Sequence, residues 1–522
     1  MDTKKTLTGC IGCDLSRRGF LAAGCAACAG VAGILSVPNI ARAASDAVGK
    51  VRIRVIYALH SEVQAQPDWP NIGFNFKPTM DFIMKTLTNA LPNFEFIPSM
   101  ANGQEQAKQL IKEDKKANID GYLVYQMNAW NQVVQPVAET KKPVLYADFQ
   151  YGGSGGFLVY TAAFLRKNTP NVGFVASSNI EDLVEAVKCF ELVKKGGTVA
   201  DFTAATARLR VERTLKPRDR ACTDDPVNAL SPQDCLNKLK SSKILAYRNA
   251  EGGADESFMD IPVLVRPFSE LNDAWKTANK DEAKEIVKQW QKNASMIEGV
   301  SPETLETCAA MYLAEKAMLK KHGADAITIN CLGGFYGGQI HAYPCLGFHE
   351  LCNEGLVGAC ECDVRSTASM LVVTALSQGR PGYISDPVLD TAKRQIIYAH
   401  CVASNKPFGP QGKKNSFEIL THSEDRQGAS VRSMLPVGFM TTTVEFAPER
   451  KEILFHQAKS VDNDLNDRAC RTKLAAEPVG DFEKLFTMWD QWGWHRVTVY
   501  GDLKAPLFAL ADTLGYKVIQ EA

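Results

Sequence analysis

The chain has 522 residues, enough for roughly two to four domains. Hydrophobic residues make up 45% and charged residues 23%, which excludes a disordered or low-complexity protein. Lys plus Arg and Asp plus Glu are both 59, so no excess of positive charge is present to hold a nucleic-acid backbone. The 15 cysteines are too dilute for a small disulfide scaffold and numerous for an ordinary enzyme.

Residues 1–44 read as an address rather than as part of the fold. Ser16-Arg17-Arg18-Gly19-Phe20-Leu21 resembles the twin-arginine export signal, an apolar Ala/Gly-rich run reaches Val37, and Ala41-Arg42-Ala43 has the small-x-small form of a cleavage site. The run is short and poor in Leu and Ile for a membrane span. Leu21 to Cys25 also looks like a lipoprotein box, but it lies too close to the arginines to leave a full apolar region. The expectation is export by the twin-arginine machinery to the periplasm, with no stable span after cleavage near Ala43. Without the leader, 54 basic and 57 acidic residues remain, together with 11 cysteines, an odd number. Cys10-x-x-Cys13 is half a zinc site with no second pair at zinc-ribbon spacing.

From residue 50 strands alternate with helices. Val51 to Tyr57 has period two, Met80 to Leu91 is helical, Phe94 to Ile97 is a strand and Gln104 to Lys116 a helix. Gly121 to Met127 and Pro143 to Tyr146 are further strands, so a parallel sheet is expected. A second unit follows: helix Ile180 to Lys195, strand Lys243 to Tyr247, a helix opened by Ser301 as cap and Pro302 at its first position, and strand Ala326 to Cys331. Between about Gly197 and Ser242 a polar stretch with Cys222 and Cys235 reads as a loop insertion, where a disulfide is plausible in an oxidising compartment. The last third, after helix Thr367 to Leu376, is mostly strands, closed by strand Arg496 to Tyr500, helix Ala505 to Leu514 and strand Tyr516 to Ile519. The fold class expected is α/β: two Rossmann-like parallel-sheet domains (45–158 and 159–342), then a β-rich C-terminal domain (343–522).

Few segments carry chemistry. Gly152-Gly153-Ser154-Gly155-Gly156 fits a nucleophile elbow, although five small residues make a loop by themselves. Gly333 to Gly338 lacks the Lys-Ser/Thr of a phosphate loop, and His349-Glu350 lacks the second histidine of a zinc protease. In Cys360-Glu361-Cys362-Asp363, two carboxylates at i and i+2 precede a helix. They can converge on one hard cation such as Mn²⁺ or Mg²⁺, or one can cap the helix while the other is solvated. The two cysteines are open to a thiolate metal site or to simple burial. His400 ends an apolar strand and His495 begins another.

Three patterns together resemble the L-fucose isomerase and L-arabinose isomerase superfamily. The first runs from Tyr343-Pro344-Cys345-Leu346 through Asn353-Glu354-Gly355 to Ala359-Cys360-Glu361-Cys362-Asp363-Val364 and Met370. The second is Asp386 followed by His400-Cys401, and the third is Trp494-His495-Arg496 to Gly501-Asp502 with Leu510 to Gly515. The resemblance implies a three-domain aldose–ketose isomerase of carbohydrate metabolism, oligomeric, with a divalent metal of the Mn²⁺ type and a cis-enediol route. By position it implies Glu361 and Asp363 as carboxylate ligands and acid/base groups, His495 as the metal histidine, and His400 as a second site histidine that would contact substrate. The sequence departs where the family carries another glutamate about two dozen residues upstream: Cys331 to His349 has no Asp or Glu, and Gln339 and His341 stand there. Gln339 would then contact the sugar, with Glu350 substituting for the missing acid or the protein binding sugar without turnover, as a periplasmic sensor would.

Overall fold

The computed structural model describes residues 49–522, which form one compact unit from Lys50 to Ala522. The segment expected to be an export leader, with Arg17 and Arg18, and Cys10, Cys13, Cys25 and Cys28, lie outside the described residues. Among the described residues no helix is long and apolar enough to cross a membrane.

Three main sheets organise the chain. The first is wholly parallel, in the spatial order Phe94–Ala101, Val51–Ala58, Gly121–Gln126, Val144–Asp148, Val172–Val175. All residues of Val51–Ala58 but Arg52 are buried, Arg54 included, which fits a strand covered on both faces. The chain winds outward from that strand in both directions, and the crevice at such a reversal, beyond the carboxyl ends, is where open α/β sheets place ligands. The second sheet runs Val357–Cys360, Ala326–Ile329, Ile244–Tyr247, Ile261–Arg266, with Glu256–Phe258 added antiparallel at the edge. Its long helix Pro302–His322 begins as expected: Ser301 Oγ accepts from Thr304 N, Pro302 fills the first turn, and Gly323 closes the helix at φ 60°.

The third sheet closes on itself. Its strands follow the order Met440–Ala447, Arg496–Tyr500, Tyr383–Asp390, Gln395–His400, Thr472–Pro478, Glu452–Asn463, and the last pairs back with the first. The result is a six-stranded antiparallel barrel, with Lys517–Gln520 pairing parallel to Glu452–Phe455 on its flank. One apolar core, including Ile327, Phe348, Val372 and Val444, joins the second sheet to the barrel. Another, including Val124, Phe157, Tyr398 and Phe486, joins the first sheet to it.

Residues 197–242 correct the expected loop. Helix Val199–Arg213 starts on a capping box between Thr198 and Asp201, and helix Pro232–Ser241 starts on Ser231. Cys222 and Cys235 are both free thiols.

Candidate active site

The Cys-Glu-Cys-Asp run is the turn from strand Val357–Cys360 into helix Val364–Leu376. Asp363 is the helix cap, accepting from Ser366 N at 3.0 Å. Glu361 and Cys362 both adopt left-handed backbone, at φ 64° and 53°. Each such residue other than glycine costs on the order of 1–2 kcal/mol, and strain of this kind collects at functional sites. The reversal carries the Glu361 carboxylate over the carboxyl end of the second sheet, towards the barrel.

The barrel supplies the rest. Asp386 lies within strand Tyr383–Asp390, opposite Ala399, and His400 ends the neighbouring strand. His495 immediately precedes strand Arg496–Tyr500. Its backbone is anchored by Arg496, whose Nη1 donates to His495 O at 2.7 Å, while the fully buried guanidinium pairs with Glu521 and stacks 3.9 Å from the Trp489 ring centroid.

Glu361, Asp386, His400 and His495 each present a ligand atom within 4.8 Å of the others. His495 Nε2 stands 3.3 Å from Asp386 Oδ1 and 3.5 Å from Glu361 Oε2. His400 Nε2 stands 3.8 Å from Glu361 Oε1 and 3.9 Å from Asp386 Oδ2, and this buried nitrogen has no hydrogen-bond partner. The Glu361 and Asp386 carboxylates and the His495 imidazole fit a divalent metal, with the unpartnered His400 nitrogen aimed among them.

The two histidines differ in what their outer nitrogens do. His495 Nδ1 lies 2.8 Å from Asp363 Oδ2 and donates to it, so that the ring, on giving up its Nε2 proton, would turn that lone pair towards Glu361 and Asp386. His400 Nδ1 instead accepts from the Cys401 amide at 3.0 Å, so its neutral ring carries the proton on Nε2 and offers a donor. Burial keeps His400 below the usual imidazole range, although Asp386 and Glu361 oppose the shift. Burial also acts to lower His495, but Asp386, Asp363 and Glu361 together raise it well above that range. At Glu361, burial pushes the carboxyl up, yet the His495 hydrogen bond and the charges on His495 and His400 bring it down to about 2.

Glu361, Asp386 and His495 line a cavity of about 470 Å³, of the size that takes a small organic ligand, and His400 is buried next to them without lining it. All three sheets line it. Trp69, Trp130 and Tyr151 come from loops at the carboxyl ends of the first sheet, Tyr336 follows a strand of the second, and Trp494 precedes His495. Trp494 meets Trp69 and Trp130 edge-on, with ring centroids 5.5 and 5.9 Å apart. Glu424 also lines the cavity and accepts from Tyr336 at Oε2, 2.9 Å; burial raises its carboxyl to about 7.

Several expected residues stand elsewhere. Asp363 is behind His495, on the far side of the ring from Glu361 and Asp386. Gln339 is exposed and does not line the cavity, and His341 is exposed beside Trp275. Glu350 is taken up by Trp290 Nε1 at 2.9 Å and Asn353 Nδ2 at 3.2 Å in a separate pocket, so it does not replace an upstream acid. The second carboxylate of the site is Asp386, downstream of Glu361. Ser154 is fully buried, donates to Asp148 at 2.8 Å and accepts from the Tyr151 amide at 2.9 Å, with no histidine on its hydroxyl. Its glycines serve packing: a Cβ on Gly155 would lie 2.7 Å from the Trp494 ring. Asp386 and Trp494 stand in the patterns that carry the family resemblance, without a role there, whereas Trp69 and Trp130 carry no local motif and only the meeting of the sheets reveals them.

A sulfoquinovose isomerase of Clostridium sp. (strain MSTE9) is 25% identical over 236 residues, 42% of this chain and 49% of that protein. A sulfoquinovose isomerase of Priestia aryabhattai is 22% identical over 297 residues, 55% of this chain and 66% of that protein. A third, from Alkalicoccus urumqiensis, is 24% identical over 161 residues, 30% of this chain and 36% of that protein. The chain thus spans 49% of the length of the first relative and 66% of the second. No protein-family model matches it.

Proposed function

We propose that this chain is an aldose–ketose isomerase acting on a sugar. The observation that carries the reading is the convergence of Glu361, Asp386 and His495, with His400 buried beside them, at an aromatic-lined cavity. Sugar isomerases among its relatives support it. Glu361, Asp386 and His495 would hold a divalent cation of the Mn²⁺ type, which when bound withdraws charge from the sugar oxygens at C1 and C2 and stabilises negative charge developing there.

The chain's own residues do the remainder. His400 Nε2–H donates to a sugar oxygen, which also satisfies its buried nitrogen. Glu424, with a carboxyl near neutrality, is suited to taking a proton from one sugar carbon and returning it at the next, the Tyr336 hydroxyl steadying its other oxygen. Trp69, Trp130 and Trp494 offer apolar faces to the ring C–H groups and exclude water. Asp68, Glu361, Asp386 and Glu424 line the cavity, and none of its lining residues is Lys or Arg. That charge suits a neutral aldose better than a sulfonated one. The leader resembling a twin-arginine signal supports export, and the superfamily resemblance supports a homo-oligomer.

The test is turnover. Purified protein with Mn²⁺ is incubated in D₂O with a panel of neutral aldoses and with sulfoquinovose. Formation of ketose from a neutral aldose is expected, absent in Glu361→Gln. Saturable sugar binding with no turnover of any sugar would replace the reading with a sugar-binding protein.

A further inference from the structure

Seven buried cysteines, Cys235, Cys331, Cys345, Cys352, Cys360, Cys401 and Cys470, belong to the core that joins the second sheet to the barrel. Cys360 adjoins Glu361 and Cys401 adjoins His400, so this sulfur-rich core underlies the cavity floor. Within it, Cys401 Sγ and Cys470 Sγ are 2.9 Å apart. The ladder brings them together: His400 and Thr472 are the last register pair, Cys401 follows His400, and Cys470 precedes Thr472 by two.

The separation discriminates between chemistries. Two thiolates on one tetrahedral zinc, each about 2.3 Å from the metal, stand roughly 3.8 Å apart. The observed contact is closer than that and needs only a small further approach to reach a bond of about 2.05 Å. We propose that Cys401 and Cys470 form a disulfide bond that pins the end of the strand carrying His400.

The bond forms by exchange with a small-molecule disulfide such as oxidised glutathione. One cysteine thiolate attacks a sulfur of the oxidant and expels one thiol. The second cysteine then displaces the other half. One sulfur–sulfur bond breaks and one forms, and the two protons and two electrons lost by the cysteines leave on two small thiols. Timing follows from burial. Cys401 and Cys470 are 2% and 5% exposed, and neighbouring thiols together with burial hold both well above the usual thiol range. Neutral, enclosed thiols exchange poorly, so the bond forms while the barrel end is open and is shielded afterwards. The cross-link bridges 69 positions of sequence. It also fixes the Cys401 amide, the donor that sets which nitrogen of His400 carries the proton. None of this depends on the isomerase reading.

The full chain, purified without reductant and equilibrated with oxidised and reduced glutathione in mild urea, is unfolded in guanidinium with iodoacetamide and mapped by mass spectrometry. Cys401 and Cys470 should resist alkylation until reduced and should appear as one linked peptide pair. Alkylation of both before reduction overturns the proposal, as does one zinc or copper ion per chain that Cys401→Ser releases. A second measurement compares thermal midpoints with and without a strong reductant added in mild urea. The wild type should lose several degrees on reduction and the Cys401→Ser/Cys470→Ser double variant none; an equal response overturns the bond.

Discussion

Asp363 accepts a hydrogen bond from His495 Nδ1 at 2.8 Å while His495 Nε2 faces Asp386 Oδ1 at 3.3 Å, so the imidazole is clamped between an orienting carboxylate and a site carboxylate. An acid at i+2 from Glu361 thus acts through the histidine rather than beside the glutamate. The same Asp363 caps helix Val364–Leu376, which ties the ring's orientation to the start of that helix.

Asp363→Asn separates these roles, because Asn caps helices as well as Asp does. The fold should persist by circular dichroism. Loss of the orienting charge should weaken Mn²⁺ binding by about 10–100-fold, the usual cost of an outer partner of a ligating histidine. Glu361→Gln, Asp386→Asn and His495→Ala should abolish it. Titration calorimetry with Mn²⁺ reads both, and unchanged affinity in Asp363→Asn would show that the clamp is structural only.

His400 has a different signature. If its Nε2–H serves the sugar and not the cation, His400→Ala should leave Mn²⁺ affinity nearly as it was and lower kcat/KM by about 10²-fold, as removal of a preorganised donor does. Loss of Mn²⁺ binding in this variant would make His400 a fourth ligand.

How much of this was legible in the chain depends on how local each signal is. The alternating strands and helices, the Ser301-Pro302 start and the Gly323 stop are written in periodicity and caps, and the structure carries them. The Glu361 loop and His495 stood out because a short motif holds each. Asp386 stood only in a looser pattern with His400-Cys401 and with no role attached: it sits among buried residues of a strand whose eight positions are all covered, and its role comes from the strand facing another sheet's loop. Trp69 and Trp130 reach Trp494, the neighbour of His495, from two distant loops, a tertiary relationship with no spacing to read. The misread stretch at 197–242 failed for the opposite reason. Its polar composition masked two helices whose capping residues, Thr198 and Ser231, were present all along.

Trp130 is 51% exposed at the cavity mouth, unlike the enclosed Trp69 at 5%. Its ring should therefore contribute to sugar binding more than to packing. Trp130→Ala should raise KM about tenfold with kcat little changed, the mark of binding energy spent equally on ground and transition states. Steady-state kinetics check this, and a fall confined to kcat would place the ring in the chemical step.

Behind the clamp lies a carboxyl that must be protonated. Ser366 Oγ stands 2.8 Å from Asp363 Oδ2 and 2.9 Å from Glu445 Oε1, but a hydroxyl has one proton to give. That proton goes to the ionised Asp363, so Glu445 donates to Ser366 as a neutral acid, while Ser369 Oγ donates to its other oxygen at 2.9 Å. Burial first, and then the Asp363 charge, raise Glu445 to about 8. An unfolded glutamate titrates near 4.3, so the stability contributed by the folded carboxyl's proton is fully present below about pH 4.3 and is lost as pH rises towards 8. Gln can repeat both hydrogen bonds without titrating. Glu445→Gln should therefore hold its thermal midpoint between pH 5 and 8 while the wild type falls relative to it, and the two should run parallel above pH 8. Glu445→Ala, which strands two serine hydroxyls beside a cavity, should be less stable than Glu445→Gln by about 3 kcal/mol at every pH, since neither variant titrates there. Calorimetric scans across that range decide the matter: curves for wild type and Glu445→Gln that stay parallel from pH 5 to 8 mean that Glu445 is ionised and that Ser366 directs its proton the other way.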